Sequence, residues 1–367
     1  MNTMTKVSVI MPCFNNQQYL EECLKSVCEQ TLDEIEIICI DDGSTDSSLS
    51  IMRQFEAQYP QLQIISKKNE GFGATVNRGI AASTGEYIAI CETDDYVDAT
   101  MYEHLYNCAA DNGYPDVIRS DFDRFIGQDE DRVFTRAYLN DDCTLQNKLI
   151  NPQEDSRAFD LYVLMQPTLV KRIFIIANNI RLNTSPGASY QDNGYWFQVT
   201  AYAQTLYYDS SCHYHLRRDN PNSSMLSKGK ANAIRDEYKF IHDKVYGDLN
   251  RLPANILGIL SKKQFQSYWG TYNRIDPSIR KQFTQNWSKD FNLLNDAGEI
   301  DRKLFDEYES DKLNLILNDP DRFYYEQEFW EKQWSTMNAE IIRLKKEIEA
   351  LKEKANRQSL IKRLIQR

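Results

Sequence analysis

Ile35-Glu36-Ile37-Ile38-Cys39-Ile40 runs directly into Asp41-Asp42-Gly43-Ser44, and Tyr87-Ile88-Ala89-Ile90-Cys91 runs into Glu92-Thr93-Asp94-Asp95. Short apolar runs that end in carboxylates read as buried parallel strands delivering acids to the carboxyl edge of a sheet. Open α/β sheets bind their ligands at that edge. Clustered carboxylates repel one another, so a cation is expected to hold them. A hard divalent ion, Mg²⁺ or Mn²⁺, suits oxygen ligands and commonly also holds a phosphate.

Outward from these two strands, the first ~125 residues alternate strand and helix patterns. Val7-Ser8-Val9-Ile10-Met11 is a strand that ends at Pro12, and Tyr19, Leu20, Cys23, Leu24 and Val27 follow at helical spacing. Asp46 or Ser47 caps a helix through Leu49, Ile51, Met52 and Phe55. Leu62–Ile65 is a third strand, Gly71-Phe72-Gly73-Ala74 opens a helix reaching Ala82, and Thr84-Gly85 turns the chain into the strand ending at Glu92. A helix over Thr100–Asn112 and a strand beginning at Asp116 complete the pattern. Repeated β-α-β units predict an α/β fold with a mostly parallel central sheet flanked by helices.

From 126 to 230 the pattern is less regular, with short strands expected at Thr205–Tyr208 and Cys212–His215. From 231 to 330 it is helical, amphipathic and rich in aromatic residues. From 331 on, Trp334, Met337, Ile341, Leu344, Ile348, Leu351 and Ala355 step by three and four, a seam suited to a coiled coil or to packing on its own domain. Domains are therefore expected at 1–230, 231–330 and 331–367. Glu340–Arg367 holds nine Lys/Arg against four Glu, and its end, Leu360–Ile365, is basic and amphipathic. Self-association through this helix and peripheral contact with an anionic membrane are both open.

The 367 residues carry a formal net charge of −11, which argues against a nucleic-acid partner. The eight cysteines include no Cys-x-x-Cys pair and read as reduced thiols of a cytoplasmic protein rather than a disulfide or zinc framework. The N-terminus shows no signal-peptide apolar region. No apolar stretch reaches the ~18–20 residues of a membrane span. Four histidines make a histidine-built zinc site improbable, and His213 and His215, on one side of a strand, read as packing or substrate contacts.

Several ordered motifs now resemble one family. Pro12-Cys13-Phe14-Asn15, Ser26-Val27-(x)₂-Gln30-Thr31, Asp41-Asp42-Gly43-Ser44-(x)-Asp46, Asn69-(x)-Gly71-(x)₂-Ala74-(x)₂-Asn77-(x)-Gly79, and Gly85-Glu86-Tyr87-Ile88 before the second acidic cluster look like inverting family-2 glycosyltransferases of the GT-A fold. The resemblance is strong over residues 6–125 and looser to 225. It implies a UDP-sugar donor, a hexose or N-acetylhexosamine, and a glycan, glycolipid or glycoprotein acceptor of a bacterial cell. By the same resemblance Pro12, Phe14 and Asn15 shape the nucleoside pocket, and Asp42 meets the base or ribose. Asn69, Gly71, Ala74 and Asn77 belong to the donor-binding segment, where a helix start favours anions.

The resemblance makes Thr93-Asp94-Asp95 the metal-binding Asp-x-Asp region, with Asp94 the principal ligand and Asp95 the second. Glu92 stands where many relatives have Asp. Tyr190-Gln191-Asp192 resembles the site of the catalytic base, with Gln191 in place of Glu, so Asp192 is the expected base. His213–Ser224 resembles a loop following the catalytic centre, in which Arg217 would bind donor phosphate and Ser223 or Ser224 would close over it. A nucleotidyltransferase is disfavoured, because Pro12-Cys13-Phe14-Asn15-Asn16 replaces the Gly-rich, Arg/Lys-bearing loop it needs. A scaffold acting through the C-terminal helix is the other reading.

Overall fold

The computed structural model describes residues 4–140 and 142–365, with side chains up to Lys352. Ala355 and the basic end Leu360–Ile365, expected to extend the seam and to meet a membrane, lie outside the described side chains. The chain divides into two compact units, Met1–Ile275 and Asp276–Arg367.

In the first unit β1 (Val7–Cys13), α1 (Leu20–Cys28), β2 (Ile35–Asp41), α2 (Ser48–Glu56), β3 (Leu62–Ser66), α3 (Phe72–Ala82) and β4 (Tyr87–Ile90) follow the expected alternation. Then come β5 (Tyr96–Val97), α4 (Met101–Asp111), β6 (Val117–Ile126), β7 (Val133–Ala137), β8 (Lys148–Ile150), β9 (Thr168–Lys171) and α5 (Arg172–Ala177). The unit closes with α6 (Gln191–Tyr202), β10 (Leu206–Arg217), α7 (Ala231–Gly247) and α8 (Ile256–Arg274). The second unit is α9 (Pro277–Asp296), α10 (Glu307–Asn318) and α11 (Pro320–Ile365).

One sheet runs β3-β2-β1-β4-β9-β6-β10-β5, with β7 on β6 and β8 on β10. β3, β2, β1 and β4 are mutually parallel, as their uninterrupted apolar faces require. Val7, Val9, Ile10, Ile37, Ile38 and Ile40 are fully buried. The register pairs Cys13 with Asp41, so β1 and β2 end together at one edge. β9 enters antiparallel between β4 and β6. The two short strands expected over 205–215 are one strand, β10, with register shifts between Asp209 and Cys212 and between Cys212 and His215. Such bulges re-aim side chains, and here they break the alternation on which a sequence reading depends.

The boundary expected at 231 moves. α7 packs against α6 and α8, and the division falls at 275/276 instead. No described helix is long and apolar enough to cross a membrane.

Candidate active site

The two acidic clusters do different work. Asp41 and Asp42 are both buried at the end of β2. Asp41 accepts hydrogen bonds from the Ser44 N–H (2.9 Å) and the Ser66 hydroxyl (3.0 Å). Asp42 accepts from the backbone N–H groups of Glu70 and Gly71, each at 2.9 Å, and from the Lys67 ammonium. The pair therefore pins the 67–71 loop to the sheet edge. Asn15, in a left-handed backbone (φ 51°), takes the Thr45 N–H at 2.7 Å, and Phe14 beside it is half exposed. Asn69 lies exposed on the pinned loop.

The glycines at the start of α3 answer a steric need. A Cβ at Gly73 would sit 1.9 Å from the Asn183 carbonyl oxygen, and one at Gly71 would sit 2.9 Å from the Gly187 nitrogen. Gly71 also has φ 89°, and the Gly187 carbonyl takes the Phe72 N–H at 3.1 Å. Asn77 binds Leu182 twice, its amide donating to the carbonyl (2.8 Å) and accepting the N–H (2.9 Å). Ala74 lies between these contacts on the same helix. Gly71, Gly73 and Asn77 thus dock the 182–187 segment, which leads into α6.

The second cluster opens onto a cavity of about 440 Å³. Glu92, Asp94, Asp95, Gln166, Asp192, Arg217, Ser223 and Arg274 are among its lining residues. Pro12, Phe14, Asn15, Asp42, Asn69, Gly71, Ala74, Asn77 and Thr93 do not line it. Thr93 ties the cluster to β1, accepting from the Asn16 amide at 3.0 Å and donating to the Pro12 carbonyl at 3.4 Å.

The three acids of the cluster are unequal. Asp95 is buried, and both its oxygens are engaged: the Tyr214 hydroxyl donates at 2.5 Å and the Arg217 N–H at 2.7 Å. Its expected place as second metal ligand gives way to a holding role. Burial, with Asp94 and Glu92 alongside, pushes its carboxyl well above the usual range. Asp94 accepts from the Asn220 amide at one oxygen (2.8 Å), and its other oxygen has no hydrogen bond among the described residues. Glu92 accepts from the Gln166 amide. Burial first, then Asp94 and Asp192, push Glu92 up to about 8. Asp94, with one oxygen free of hydrogen bonds among the described residues, and Glu92 beside it are the oxygen donors of this cluster that a hard divalent cation would use.

Arg217 departs from expectation. Its side chain is 2% exposed, and it pairs with Glu22 (3.0 Å) and Asp219 (3.4 Å). The guanidinium stacks over Tyr19 and Phe125, and Nε donates to the Asp94 carbonyl at 3.0 Å. It is consumed in holding the acidic loop and is not presented to a donor phosphate. His213 and His215 both reach Asp98, at 3.2 and 3.0 Å, and serve packing.

Asp192 lies in the first turn of α6, after Tyr190 in a left-handed backbone (φ 65°). That conformation costs on the order of 1 kcal/mol or more in a non-glycine residue. The Tyr190 hydroxyl accepts from Thr271 at 3.1 Å, and Arg274 lies over its ring. Asn193, which donates its N–H to Asp192 at 3.0 Å, accepts from Ser267 at 3.1 Å. Burial raises the Asp192 carboxyl above its ordinary value. Tyr214 and Asn220 lie in the stretch quoted for its resemblance but were given no role from sequence. Gln166, Ser267, Thr271 and Arg274 were given none either, being polar residues with no spacing to mark them.

Residues 8–166 match the family described as Glycosyl transferase family 2. That segment, under half of the chain, is similar to the family 2 glycosyltransferases. The family segment contains the acidic cluster and ends at Gln166, so Asp192 and α8 lie beyond it. Among curated relatives, an uncharacterized glycosyltransferase YibD of Escherichia coli is 39% identical over 112 residues, 30% of this chain and 33% of that one. A cholesterol galactosyltransferase of Borreliella burgdorferi is 43% identical over 118 residues, 32% of each chain. Glycosyltransferase GlyG of Streptococcus pneumoniae is 32% identical over 171 residues, 45% of this chain and 56% of that one. The chain thus spans between a third and about half of these relatives' lengths. The structure of S. aureus TarS residues 1–349 in complex with UDP-GlcNAc superposes with a TM-score of 0.68 at 17% identity, covering 89% of this chain and 92% of that one. The chain therefore carries a GT-A fold, with a helical region after it.

Proposed function

We propose that this chain is a family 2 glycosyltransferase that moves a hexose or N-acetylhexosamine from a UDP-sugar to a hydroxyl of a glycan, glycolipid or glycoprotein, with inversion. The observation that carries the reading is the shared cavity. Carboxylates from the end of β4 and from the first turn of α6, a hundred residues apart in sequence, line one space. The UDP-GlcNAc complex of the similarly folded TarS and the galactosyltransferase named among the relatives support the donor class.

Asp94, with Glu92 beside it, would hold Mg²⁺ or Mn²⁺, which offsets charge on a departing diphosphate. Asp192 takes the proton of the acceptor hydroxyl as its oxygen bonds to the anomeric carbon and the bond from that carbon to the diphosphate oxygen breaks. A carboxyl raised by burial is a better base near neutral pH than an exposed one. Asp95 and Arg217 keep the loop in place. Pro12, Phe14, Asn15 and Asn69 provide the nucleoside edge, with Asp42 pinning the loop that carries Asn69. α11 joins copies of the chain.

The test is UDP release from a panel of UDP-sugars with glycan acceptors. Asp192→Asn should retain donor binding by calorimetry while turnover falls by about 10²–10⁴-fold. Unchanged turnover removes Asp192 as the base. Full activity of Asp94→Asn, or of the wild type in EDTA, removes the metal role.

A further inference from the structure

Away from the cavity, α4 and β10 bring together three side chains of metal-ligating chemistry. His104 and Cys108 stand four apart on α4, so both project from one helix face. Asp209 faces them from β10, at the first of its register shifts. His104 Nε2 lies 3.0 Å from Asp209 Oδ2 and 3.5 Å from Cys108 Sγ, and all three donor atoms lie within 4.8 Å of one another. A tetrahedral ion with bonds of ~2.0–2.3 Å sets its ligands about 3.3–3.7 Å apart. The His104–Cys108 edge already has that length, and the His104–Asp209 edge needs to open by only a few tenths of an ångström.

We propose that His104, Cys108 and Asp209 form a site for a thiophilic divalent metal of the Zn²⁺ class, separate from the acidic cluster. One imidazole, one thiolate and one carboxylate are a donor set that Zn²⁺ accepts and Mg²⁺ does not. The His104 side chain is 38% exposed, which gives the ion a path in and leaves a fourth position for water. Asp209, 11% exposed, takes the Ser211 N–H at 3.1 Å and the Ser211 hydroxyl on Oδ2, the oxygen that also faces His104, so the carboxylate is held in place with Oδ1 left for an ion. The His213 ring, 4.9 Å from that of His104, walls one side while its Nδ1 pairs with Asp98. Without metal, burial and the carboxylates of Asp209 and Asp111 push the Cys108 thiol up to about 11. Metal entry therefore displaces that proton to solvent. The bound ion would clamp α4 to β10, the strand whose far end carries Tyr214 and Arg217 to Asp95.

Cobalt(II) is the probe, because its thiolate bond absorbs in the near ultraviolet and its tetrahedral complexes absorb intensely in the visible. The full chain, stripped with chelator and titrated with Co²⁺, should develop both bands and saturate at one equivalent. One equivalent of Zn²⁺ should bleach them. Cys108→Ser should lose the near-ultraviolet band while its circular dichroism stays native, and His104→Ala should weaken binding at least tenfold. Asp94→Asn should leave the titration unchanged. Absence of the bands in the wild type, or their survival in Cys108→Ser, overturns the site. Their loss in Asp94→Asn overturns its separateness.

Discussion

Arg217 shows how one residue can be visible in sequence and misread. The resemblance of His213–Ser224 to a loop after the catalytic centre puts a phosphate on it, yet its guanidinium is buried between Tyr19 and Phe125 and pairs with Glu22 and Asp219. Arg217→Ala removes a buried cation from two partly exposed carboxylates and opens a gap beside Tyr19 and Phe125, a loss of about 1–3 kcal/mol. Thermal denaturation should show the loss directly. A phosphate-binding arginine predicts the opposite pattern, a raised donor KM at unchanged stability, and that result would reinstate the first reading. Glu237 is a second buried charge, on α7 behind Asp192. Burial, with a further push from Asp192, raises it from 4.5 to about 8, against the pull of Asn183 and the Gly194 N–H. The folded state thus holds this proton more tightly than the unfolded chain. The sign follows: the contribution is full below about pH 4.5 and is lost as pH rises to about 8. Melting curves across that range should fall for the wild type, and Glu237→Gln should flatten the slope. An equal slope in the variant would assign the pH dependence to other groups.

At the scale of elements, what was legible followed from periodicity. β1, β2, β3, β4, α1, α2, α3 and α4 were readable because each has a strict apolar pattern and a turn or cap at its end. The carboxylates at the end of β4 were readable for the same reason, and they line the cavity. β9 was not, since Thr168–Lys171 pairs antiparallel with strands far away in sequence. Nor was α8 as a wall of the cavity, because Ser267, Thr271 and Arg274 are ordinary polar residues until the helix is placed. The glycines of α3 were visible, but their reason was not. Long-range approach to the 183–187 segment, and not anion binding, sets Gly73. Gly73→Ala must push the Asn183 carbonyl away, an overpacking cost of about 1–3 kcal/mol. Because that segment leads to Tyr190 and Asp192, transfer should fall by more than nucleotide binding does. A variant with wild-type melting temperature and turnover would show that the segment yields freely.

At the scale of the whole chain, the unit Asp276–Arg367 carries a run of exposed apolar residues. Its core holds Trp287 against Phe323 at 5.5 Å, and Arg280 pairs with Glu328 (3.2 Å) and Glu331. Beyond Glu331, α11 leaves that core. Trp334, Met337, Ile341, Leu344, Ile348 and Leu351 are all exposed, Trp334 at 63% and Leu351 at 64%. Packing of this stretch on its own unit, one of the two sequence readings, would have buried these side chains. Exposed apolar residues in a continuous three-and-four seam mark an association surface. The Arg343 pairs with Glu340 and Glu347 support the helix along its polar side. A second copy of α11 is the partner whose seam matches by construction. Full-length chain should therefore scatter light as an oligomer. Truncation after Gln333, which keeps the Arg280 partners and Phe323, should give a folded monomer with UDP-sugar hydrolysis retained. Ile341→Asp with Ile348→Asp should give the same mass without shortening the chain. A full-length chain of single-chain mass would rule out self-association. Co-sedimentation of that monomer with anionic vesicles would then give the seam to the membrane, since the same apolar stripe and basic end suit a lipid surface.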